Sequence, residues 1–575
     1  MAKKNEENQR ETMDVEVLLY QKVIMRDGIN LSTKIYRPIG KSNNPAILFF
    51  TPYVSDEYHN EAKKLARAGY AFVIADVRGR GDSEGEFFPL ERDGQDGAEL
   101  VEWIAKQPWC NGDVMMMGGS YRGMVQWQTL MHNPNSLKAI SPAASVGPGI
   151  DFPQPKNIFY SFAARWLSYV SGKTRCDKLF NDNDYWNNKL YKLYSEHIPF
   201  EKLDEITGSL RKIFQRWLSH PEYDDYWKAM VPKPEDYKRI NIPILTTTGY
   251  FDDDQHGAMY YYFNHLKYGN PQAVEKHYLL IGPWDHPGTR TPQKHLGGLA
   301  FSDVSVLNMN LLQSQWFDYH LKSAKFPELL QKRVTFYLLG DEKWLYADKI
   351  EDISIKSKTL YLNSNNGKAN DVFASGALLE EKQDGEADIL NYNPLQLMAK
   401  EEFFRQQNND KRYTDKAFAY EKDIFIYHSS PFKEALSIAG YIQLNLYVEL
   451  NVPDIDLISY IYEIKTDGTV IYLTESLIRA KYRNSTEKAE LVVPGEINLF
   501  AMKAYYFFAR TLSKGSRLRL LIKPLNTPEY EKNYCGGGQT SKETGANSKE
   551  AIIKIHHNLQ YPSSIVLPVL NDEII

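Results

Sequence analysis

The sequence predicts an α/β domain that is interrupted by a block of helices and followed by an all-β domain. Short apolar runs alternate with helical patterns over residues 15–150 and again over 238–330, which is typical of a parallel sheet. Helical spacing dominates residues 151–237, in the usual form of an inserted cap. Period-two alternation between turn residues recurs over 331–575 and favours a sandwich or jelly roll.

The first region contains three strand–helix pairs in succession. Ala46–Phe50 is a continuous apolar run typical of a buried strand, and the helical pattern after it stops at Gly69. Leu100, Val101 and Ile104 have the spacing of one helix face. In chain order we expect strands at Ala46–Phe50, Ala71–Ala75 and Val114–Met117, and helices at Tyr58–Ala68, Gly94–Gln107 and Met124–Met131.

The later regions are assigned in the same way, from periodicity and flanking turn residues. Helical spacing in the cap predicts helices at Phe159–Val170, Asp184–Tyr194 and Ile206–Trp217. The α/β pattern resumes with strands at Ile242–Thr247 and His277–Ile281. Alternating segments of the β domain are Thr335–Leu339, Tyr441–Leu450, Leu457–Ile464 and Arg517–Ile522.

Composition excludes several classes of protein. With 43% hydrophobic and 25% charged residues, the chain has the proportions of a soluble globular protein. A net charge of −5 gives no basic surplus for binding nucleic acid or an anionic membrane. No stretch approaches the ~20 apolar residues of a membrane span, and the polar N-terminus lacks the apolar core of a signal peptide. We therefore expect a cytoplasmic protein.

Aromatic residues are abundant: 39 Tyr, 26 Phe and 10 Trp make up 13% of the chain. Such a surplus fits a β-rich fold, and it also fits a pocket lined with rings. Within the cap the two interpretations, cap core or substrate contacts, stay open for Phe152, Phe159, Tyr160, Phe162, Trp166, Tyr169, Tyr185 and Trp186.

The run Gly118–Gly123 is the most informative segment for chemistry. A short apolar strand leads into glycines around Ser120, and a helical pattern follows. This is the context of a nucleophile elbow, a sharp strand-to-helix turn that exposes the serine hydroxyl. The usual pattern has glycine at the position that Arg122 occupies, and here the glycine follows at Gly123. The alternative is a glycine-rich turn without catalysis.

A nucleophilic serine needs a base and an acid, and in such folds they follow it in the order acid, then base. Asp252 comes directly after one predicted strand, and His286 lies in the loop after the next. We predict that both reach Ser120 from the carboxyl ends of their strands. Weaker candidates for these roles are Asp253, Asp254, Asp285, His256 and His295.

Two donors are expected for the oxyanion that forms during acyl transfer. One is the backbone N–H of Tyr121, the residue after the nucleophile. The other normally comes from the loop after an early strand, where Pro52 has no N–H to give. The Tyr53 hydroxyl is the better candidate there, and a buried ring covering the sheet edge is the alternative.

These motifs resemble the CocE/NonD hydrolases, the group of cocaine esterase, α-amino acid ester hydrolases, glutaryl acylases and X-Pro dipeptidyl-peptidases. The resemblance runs from about Val23 to the C-terminus. It implies an α/β-hydrolase fold with an inserted helical cap and a C-terminal jelly roll, and it implies homo-oligomers. The family's tyrosine oxyanion donor falls on Tyr53. The matching segments are Asp76–Ser83, Glu102–Ile104 with Gln107–Gly112, Gly118–Gly123, Gly249–Asp252, Gly282–His286, Asp454–Asp456 and Ser476–Ala480.

Three further motifs bear on ligands. The α-amino acid ester hydrolases place acidic residues after the catalytic Asp to hold a substrate ammonium; Asp254 could serve, but Gln255 stands where a second carboxylate is expected. An acidic helix N-terminus explains the same residues. Consecutive aspartates cannot all face one metal ion, so we expect no metal. Arg80-Gly81-Asp82 spells an adhesion tripeptide, which its place in a family loop leads us to set aside.

The sequence therefore predicts a serine hydrolase that cleaves a small ester or amide substrate through an acyl-enzyme, with no cofactor. Ser120 would be the nucleophile, His286 the base and Asp252 the acid that orients it, with Tyr53 and Tyr121 at the oxyanion. α-Amino acid esters are one possible substrate class. An X-Pro dipeptidyl-peptidase is the alternative among enzymes. A non-catalytic protein that binds ligands through its jelly roll is the alternative from another class.

Overall fold

The computed structural model describes residues 14–40, 43–365, 367–408, 413–414, 423–503 and 505–574. The first part of the chain contains twelve described strands, of which β9 and β10 form a separate hairpin. These are β1 Val15–Ile24, β2 Asn30–Pro38, β3 Asn44–Thr51, β4 Ala71–Asp76, β5 Cys110–Ser120, β6 Leu137–Ser145, β7 Ile244–Phe251, β8 His277–Asp285, β9 His295–Leu296, β10 Leu299–Ala300, β11 Val334–Leu338 and β12 Lys343–Ala347.

The central sheet has the strand order β1-β2-β4-β3-β5-β6-β7-β8-β11-β12. All pairs from β4 to β11 are parallel, whereas β1, β2 and β12 pair antiparallel at the two edges. Because strands in a parallel sheet end on the same side, the residues after β3, β5, β7 and β8 meet at one edge. This edge carries the candidate site.

Fourteen α-helices lie in the described residues, and most of them surround the central sheet or form the inserted block. They are α1 His59–Arg67, α2 Asp93–Ala105, α3 Tyr121–Leu130, α4 Phe162–Tyr169, α5 Asp177–Phe180, α6 Asn183–Ser195, α7 Leu203–Thr207, α8 Arg211–Leu218, α9 Asp225–Lys228, α10 Pro234–Arg239, α11 Gln255–Tyr268, α12 Pro271–Val274, α13 Met309–Lys322 and α14 Lys400–Asn408.

The central sheet is buried on both faces. On β3, Leu48 and Phe50 pack with residues of α2 and α3, while Ile47 and Phe49 pack with residues of α1 and α13. The alternation follows from the strand pleat, which directs neighbouring side chains to opposite faces. A continuous apolar run is therefore what this strand requires, as the sequence predicted.

The block between β6 and β7 is helical, from α4 to α10. The helix predicted at Ile206–Trp217 is in fact two helices, α7 and α8. Gly208 ends α7 in the left-handed conformation, with φ 65°, and Leu210 precedes α8. Apolar periodicity continues across this break, which is why the spacing alone predicted a single helix.

The C-terminal part of the chain is all-β apart from α14 and short turns. Its strands are β13 Lys356–Asn363, β14 Gly376–Leu379, β15 Asp388–Tyr392, β16 Tyr413–Thr414, β17 Phe425–Ser429, β18 Leu436–Gly440, β19 Gln443–Leu450, β20 Asp456–Ile464, β21 Val470–Arg479, β22 Ile497–Met502, β23 Phe508–Leu512, β24 Arg517–Pro524, β25 Ala551–His556 and β26 Ser564–Val569.

These fourteen strands form one hydrogen-bonded network in the described residues. The main path is β15-β25-β19-β26-β13-β14-β17-β24-β20-β21-β16, with β18, β22 and β23 attached beside it. Alternate side chains such as Leu444, Leu446 and Val448 of β19 point into its large apolar core. The predicted strands at Tyr441–Leu450, Leu457–Ile464 and Arg517–Ile522 all lie here.

The strand predicted at Thr335–Leu339 is the exception. It forms β11, which pairs in parallel with β8 and therefore extends the central sheet. Alternation of side chains describes a strand but says nothing about its partner, so the sequence placed it in the β domain.

No helix among the described residues has the length and apolar character that a membrane crossing requires.

Candidate active site

Ser120 lies at a strained turn between β5 and α3. Its backbone has φ 63° and ψ −129°, a conformation that side-chain-bearing residues rarely adopt. The flanking glycines are required by close approach: a Cβ on Gly123 would lie 2.6 Å from Ser145 Oγ and 2.8 Å from the Ala143 carbonyl oxygen. A Cβ on Gly119 would lie 2.8 Å from Arg290 Cδ. The turn thus has the geometry that the glycine pattern predicted, and Ser120 lines a cavity.

Asp252 and His286 follow β7 and β8 and contact each other. His286 Nδ1 lies 2.9 Å from Asp252 Oδ1. The fully buried Asp252 carboxylate also accepts a hydrogen bond from Thr248 Oγ1, at 2.8 Å, and one from the Asp254 backbone N–H, at 3.1 Å. Because both oxygens are held, the carboxylate fixes the orientation of the imidazole ring.

The charge state of His286 depends on two aspartates. Burial lowers the pKa of His286, but the Asp254 charge and the Asp252 hydrogen bond outweigh it, so the net shift is upward. Asp254 Oδ2 lies 3.5 Å from His286 Nδ1. Burial, opposed by the His286 charge, in turn raises the pKa of Asp254 well above its usual range. The surroundings therefore favour a proton on this imidazole more than water does.

Tyr53 lies in the loop after β3, and its hydroxyl faces the elbow. Trp166 Nε1 donates a hydrogen bond to this hydroxyl, at 3.2 Å. Burial raises the pKa of Tyr53, although hydrogen bonds with Trp166 and Ser120 oppose that effect. The phenol therefore keeps its proton at neutral pH and can donate it in a hydrogen bond.

Tyr121 begins α3, so its backbone N–H belongs to the first turn of that helix, where N–H groups have no partner within the helix. Its side chain is engaged elsewhere. The hydroxyl donates to the Asp93 carboxylate and accepts from the Leu90 N–H, at 3.0 Å, and the ring stacks on Trp166. Only the backbone of Tyr121 is therefore available to a reacting group.

Of the weaker candidates, Asp254 lies beside His286, whereas His256, His295 and Asp285 have other contacts or lie elsewhere. The His256 ring stacks on Tyr506, with ring centroids 4.4 Å apart, and burial lowers its pKa to about 3. His295 is exposed in β9, and Asp285 Oδ1 accepts from the Gly288 N–H, at 2.9 Å. Asp253 lines the cavity.

The segment that follows β7 was considered for binding a substrate ammonium or a metal ion. The Gln255 amide donates to the Gly249 carbonyl, at 2.8 Å, and to the Phe507 carbonyl, at 3.0 Å, so it ties α11 to the β domain. Across the described part of the chain, no cluster of three or more His, Cys, Asp or Glu side chains is arranged to hold a metal ion.

A cavity of about 1200 Å³ lies over Ser120 and is lined by all three parts of the chain. Six of the eight cap aromatics singled out from the sequence line it: Phe152, Tyr160, Phe162, Trp166, Tyr169 and Trp186. No sequence pattern indicated the β-domain side of the cavity, which includes Ile458, Tyr460, Tyr472, Glu475, Tyr506, Leu525, Glu529 and Tyr530.

Arg80 is a further residue whose role the sequence did not show. It is fully buried, so the Arg80-Gly81-Asp82 tripeptide is not presented for adhesion. Its guanidinium donates to the Pro52 carbonyl, at 2.8 Å, and to the Val170 carbonyl, at 2.7 Å. Arg80 thereby holds the loop that carries Tyr53 against the inserted helices.

A parallel sheet with a serine at the turn after β5, a His–Asp pair after later strands and a C-terminal all-β domain define the class of α/β-hydrolases. Comparison with known proteins agrees. The profile of X-Pro dipeptidyl-peptidase (S15 family) matches residues 27–288, and that of the X-Pro dipeptidyl-peptidase C-terminal non-catalytic domain matches residues 330–566. Together they span most of the chain, which belongs to this family and is a serine hydrolase of ester or amide bonds.

Similar proteins cover nearly the whole length of the chain. Cocaine esterase of Rhodococcus sp. (strain MB1 Bresler) is 25% identical over 586 residues, covering 95% of this chain and 97% of the esterase. An aminopeptidase structure from a marine sediment Thaumarchaeota archaeon has a TM-score of 0.81 at 19% identity, covering 98% of this chain and 97% of its own. An α-amino acid ester hydrolase structure has a TM-score of 0.81 at 18% identity, covering 97% of both chains. These likenesses confirm the predicted fold.

Proposed function

We propose that Ser120, His286 and Asp252 act as a catalytic triad that hydrolyses an ester or amide of a small acyl group. The observation that carries this proposal is that one cavity is lined by the strained serine and by the hydrogen-bonded His286–Asp252 pair. Each group comes from a different strand end, in the order expected for this fold class. A glycine-rich turn without catalysis would not require this convergence.

The proposed reaction begins with proton transfer from Ser120 Oγ to His286 Nε2, since Nδ1 is held by Asp252. Ser120 Oγ then forms a bond to the carbonyl carbon, and the carbonyl oxygen becomes an oxyanion. The Tyr121 backbone N–H and the Tyr53 hydroxyl donate hydrogen bonds to that oxygen.

His286 is positively charged at this stage, and the Asp252 carboxylate that holds Nδ1 stabilises the charge. The imidazolium then gives its proton to the departing alcohol or amine, and the carbon–leaving-group bond breaks. Water enters, loses a proton to His286 and attacks the acyl-enzyme. Its oxygen ends in the free acid, and Ser120 regains its proton.

The preferred leaving group separates the two enzyme candidates. An esterase would favour p-nitrophenyl esters or amino-acid esters, whereas an X-Pro dipeptidyl-peptidase would favour Ala-Pro-p-nitroanilide. The carboxylates of Asp253, Asp254 and Glu475 line the cavity and suit a substrate ammonium, which both amino-acid esters and dipeptidyl substrates carry.

The test is steady-state kinetics on these three substrate classes with the wild type and with Ser120→Ala. We expect hydrolysis of at least one class by the wild type and a loss of roughly 10⁴-fold or more in kcat for the variant. Turnover that survives in Ser120→Ala would refute the assigned nucleophile. If the wild type hydrolyses none of the three substrate classes, the non-catalytic binding protein becomes the better hypothesis.

A further inference from the structure

The backbone is strained directly after Tyr53, the side chain proposed to donate to the oxyanion. Val54 has φ 68° and ψ 131°, and a β-branched residue with positive φ is a genuine outlier. Such a conformation persists only where the surrounding contacts hold it in place. The contacts around this loop therefore decide where the Tyr53 hydroxyl lies.

Two of these contacts come from one helix of the inserted block, α4. Trp166 lies on α4, and its Nε1 donates a hydrogen bond to the Tyr53 hydroxyl, at 3.2 Å. On the backbone side, Arg80 donates to the Pro52 carbonyl, at 2.8 Å, and to the carbonyl of Val170, which ends α4, at 2.7 Å. The loop is thus tied to α4 through its backbone and through its hydroxyl.

The Trp166 indole is itself fixed by other rings. It stacks on the Tyr121 ring, with centroids 5.9 Å apart, and on the Trp217 ring, at 6.4 Å. The Phe152 ring meets it edge to face, at 5.4 Å. Because three rings pack around the indole, its N–H is held in one direction, toward the Tyr53 hydroxyl.

The Tyr121 ring connects this packing to the turn that carries the nucleophile. Its hydroxyl contacts the Asp93 carboxylate and the Leu90 N–H, so the ring is anchored at its far end. The backbone N–H of Tyr121 is the other proposed donor to the oxyanion. Trp166 therefore contacts both residues of the proposed oxyanion site, the ring of Tyr121 and the hydroxyl of Tyr53.

We propose that Trp166 is a positioning residue for the oxyanion site and acts through the Tyr53 hydroxyl. The phenol oxygen accepts the indole N–H, so its own proton is left to donate to the substrate oxygen. A hydroxyl that accepts one hydrogen bond is also a stronger donor, because successive hydrogen bonds polarise one another. The inserted block thereby takes part in the chemistry as well as lining the cavity. This inference rests on the proposed function and adds a residue to it.

A direct contact between Trp166 and the acyl group is the alternative role, because this side chain also lines the cavity. The two roles depend on different groups. A contact with the substrate depends on the size of the acyl group and does not require the Tyr53 hydroxyl. Positioning requires the hydroxyl and is the same for small and large acyl groups.

The test is a double-mutant cycle of Trp166→Phe with Tyr53→Phe, in which kcat and KM are measured on p-nitrophenyl acetate and p-nitrophenyl benzoate. Phenylalanine keeps a ring against Tyr121 and removes the N–H donor. Trp186→Phe, alone and combined with Tyr53→Phe, is the matched control. Trp186 is also a buried tryptophan of the inserted block at the cavity, but its Nε1 donates to the Leu179 carbonyl, at 2.7 Å.

We expect Trp166→Phe to lower kcat roughly 5- to 30-fold on both esters, with a much smaller change in KM. In the Tyr53→Phe background the same substitution should lower kcat by less than about threefold, because no hydroxyl is left to position. Trp186→Phe should have one effect, whatever its size, in both backgrounds. Equal losses from Trp166→Phe with and without the Tyr53 hydroxyl would overturn the inference, and so would a loss confined to one ester.

The inference and the proposed function fail in different ways. If the wild type hydrolyses neither ester, the proposed function falls and the inference falls with it. If the losses are additive while Ser120→Ala is inactive, Trp166 does not act through Tyr53 and the triad stands. Should Trp166→Phe fail to fold, the indole N–H proton signals of the wild type and Tyr53→Phe are compared by NMR. One indole signal that moves upfield when the hydroxyl is removed supports the inference, and an unchanged set of signals overturns it.

Discussion

The hydroxyl of Tyr53 is held by few contacts, so its contribution to oxyanion stabilisation can be measured by removing it. It accepts from Trp166 Nε1 and, because burial raises its pKa, stays protonated. Tyr53→Phe removes the hydroxyl and keeps the ring, so we expect kcat to fall roughly 10²- to 10³-fold with a much smaller change in KM. The measurement is steady-state kinetics on one ester.

The matched control for Tyr53 is Tyr169→Phe. This residue lines the same cavity, and its ring lies 5.8 Å from that of Tyr53, centroid to centroid. We expect its variant to keep near-normal kcat. Equal losses in the two variants would mean that the Tyr53 hydroxyl does not act on the oxyanion.

The raised pKa of His286 predicts how kcat/KM depends on pH. Only the neutral imidazole can act as a base, so kcat/KM should rise with pH through the pKa of His286, which lies above its ordinary value of 6.5. Asp254→Asn removes the charge that contributes most to the upward shift. We expect the midpoint of the acidic limb to move to lower pH.

Asp253→Asn is the control for this profile, because that carboxylate is not among the main influences on the pKa of His286. Its midpoint should stay close to the wild-type value. An acidic limb that does not move in Asp254→Asn would contradict the assignment of His286 as the titrating base.

Single residues also show how far the sequence could predict the site. Asp252 and His286 were predictable because each follows an apolar strand directly, and strand ends in a parallel sheet meet at one edge. Glu475 and Tyr530 were not. Their positions depend on packing between distant segments, which leaves no periodic signal in the chain.

The elbow between β5 and α3 is the element on which the nucleophile depends. At Gly123 even a methyl group would approach Ser145 Oγ to 2.6 Å. For Gly123→Ala we expect a loss of about 1–3 kcal/mol in the free energy of unfolding and a lower kcat, because the crowding shifts the turn. Denaturant unfolding and ester hydrolysis measure the two effects.

Gly538→Ala serves as the comparison, since its nearest neighbour, Glu543 Oε1, lies 3.3 Å from the new Cβ, whereas the nearest neighbour at Gly123 lies at 2.6 Å. This variant should stay close to wild type in stability and in activity. A Gly123→Ala variant as stable and as active as Gly538→Ala would show that the close approach at the elbow is unimportant.

Individual strands and helices were predicted better than the pairing between strands. The strand ends of β3, β4, β20 and β24 agree with the apolar patterns within about two residues. The pairing of β11 with the central sheet was missed, because hydrogen bonding between distant strands is not encoded in local alternation. The break at Gly208 was missed because the apolar face continues through it.

At the scale of the whole molecule, a buried network joins the β domain to the inserted segment. Arg479 donates to both oxygens of Asp456, at 2.7 Å, to Glu531 Oε1, at 2.7 Å, and to the Asn157 carbonyl, at 2.8 Å. All three charged side chains are at most 2% exposed. The cavity wall that the β domain supplies depends on this junction.

Arg479→Met should therefore destabilise the whole molecule. Two buried carboxylates lose their cation, so we expect a loss of about 3–5 kcal/mol in the free energy of unfolding and reduced activity from a displaced cavity wall. Arg211→Met breaks an exposed ion pair with Glu205 and should leave the melting temperature unchanged. Equal melting temperatures for the two variants would contradict this role of the network.

The central claim is that Ser120 is a nucleophile activated by His286 and Asp252. Its most direct test is intact-mass analysis after treatment with a fluorophosphonate probe, on the wild type, Ser120→Ala and His286→Ala. We predict one adduct on the wild type, none on Ser120→Ala, and labelling slowed by several orders of magnitude in His286→Ala. An unlabelled wild type, or an adduct that persists in Ser120→Ala, would contradict the claim.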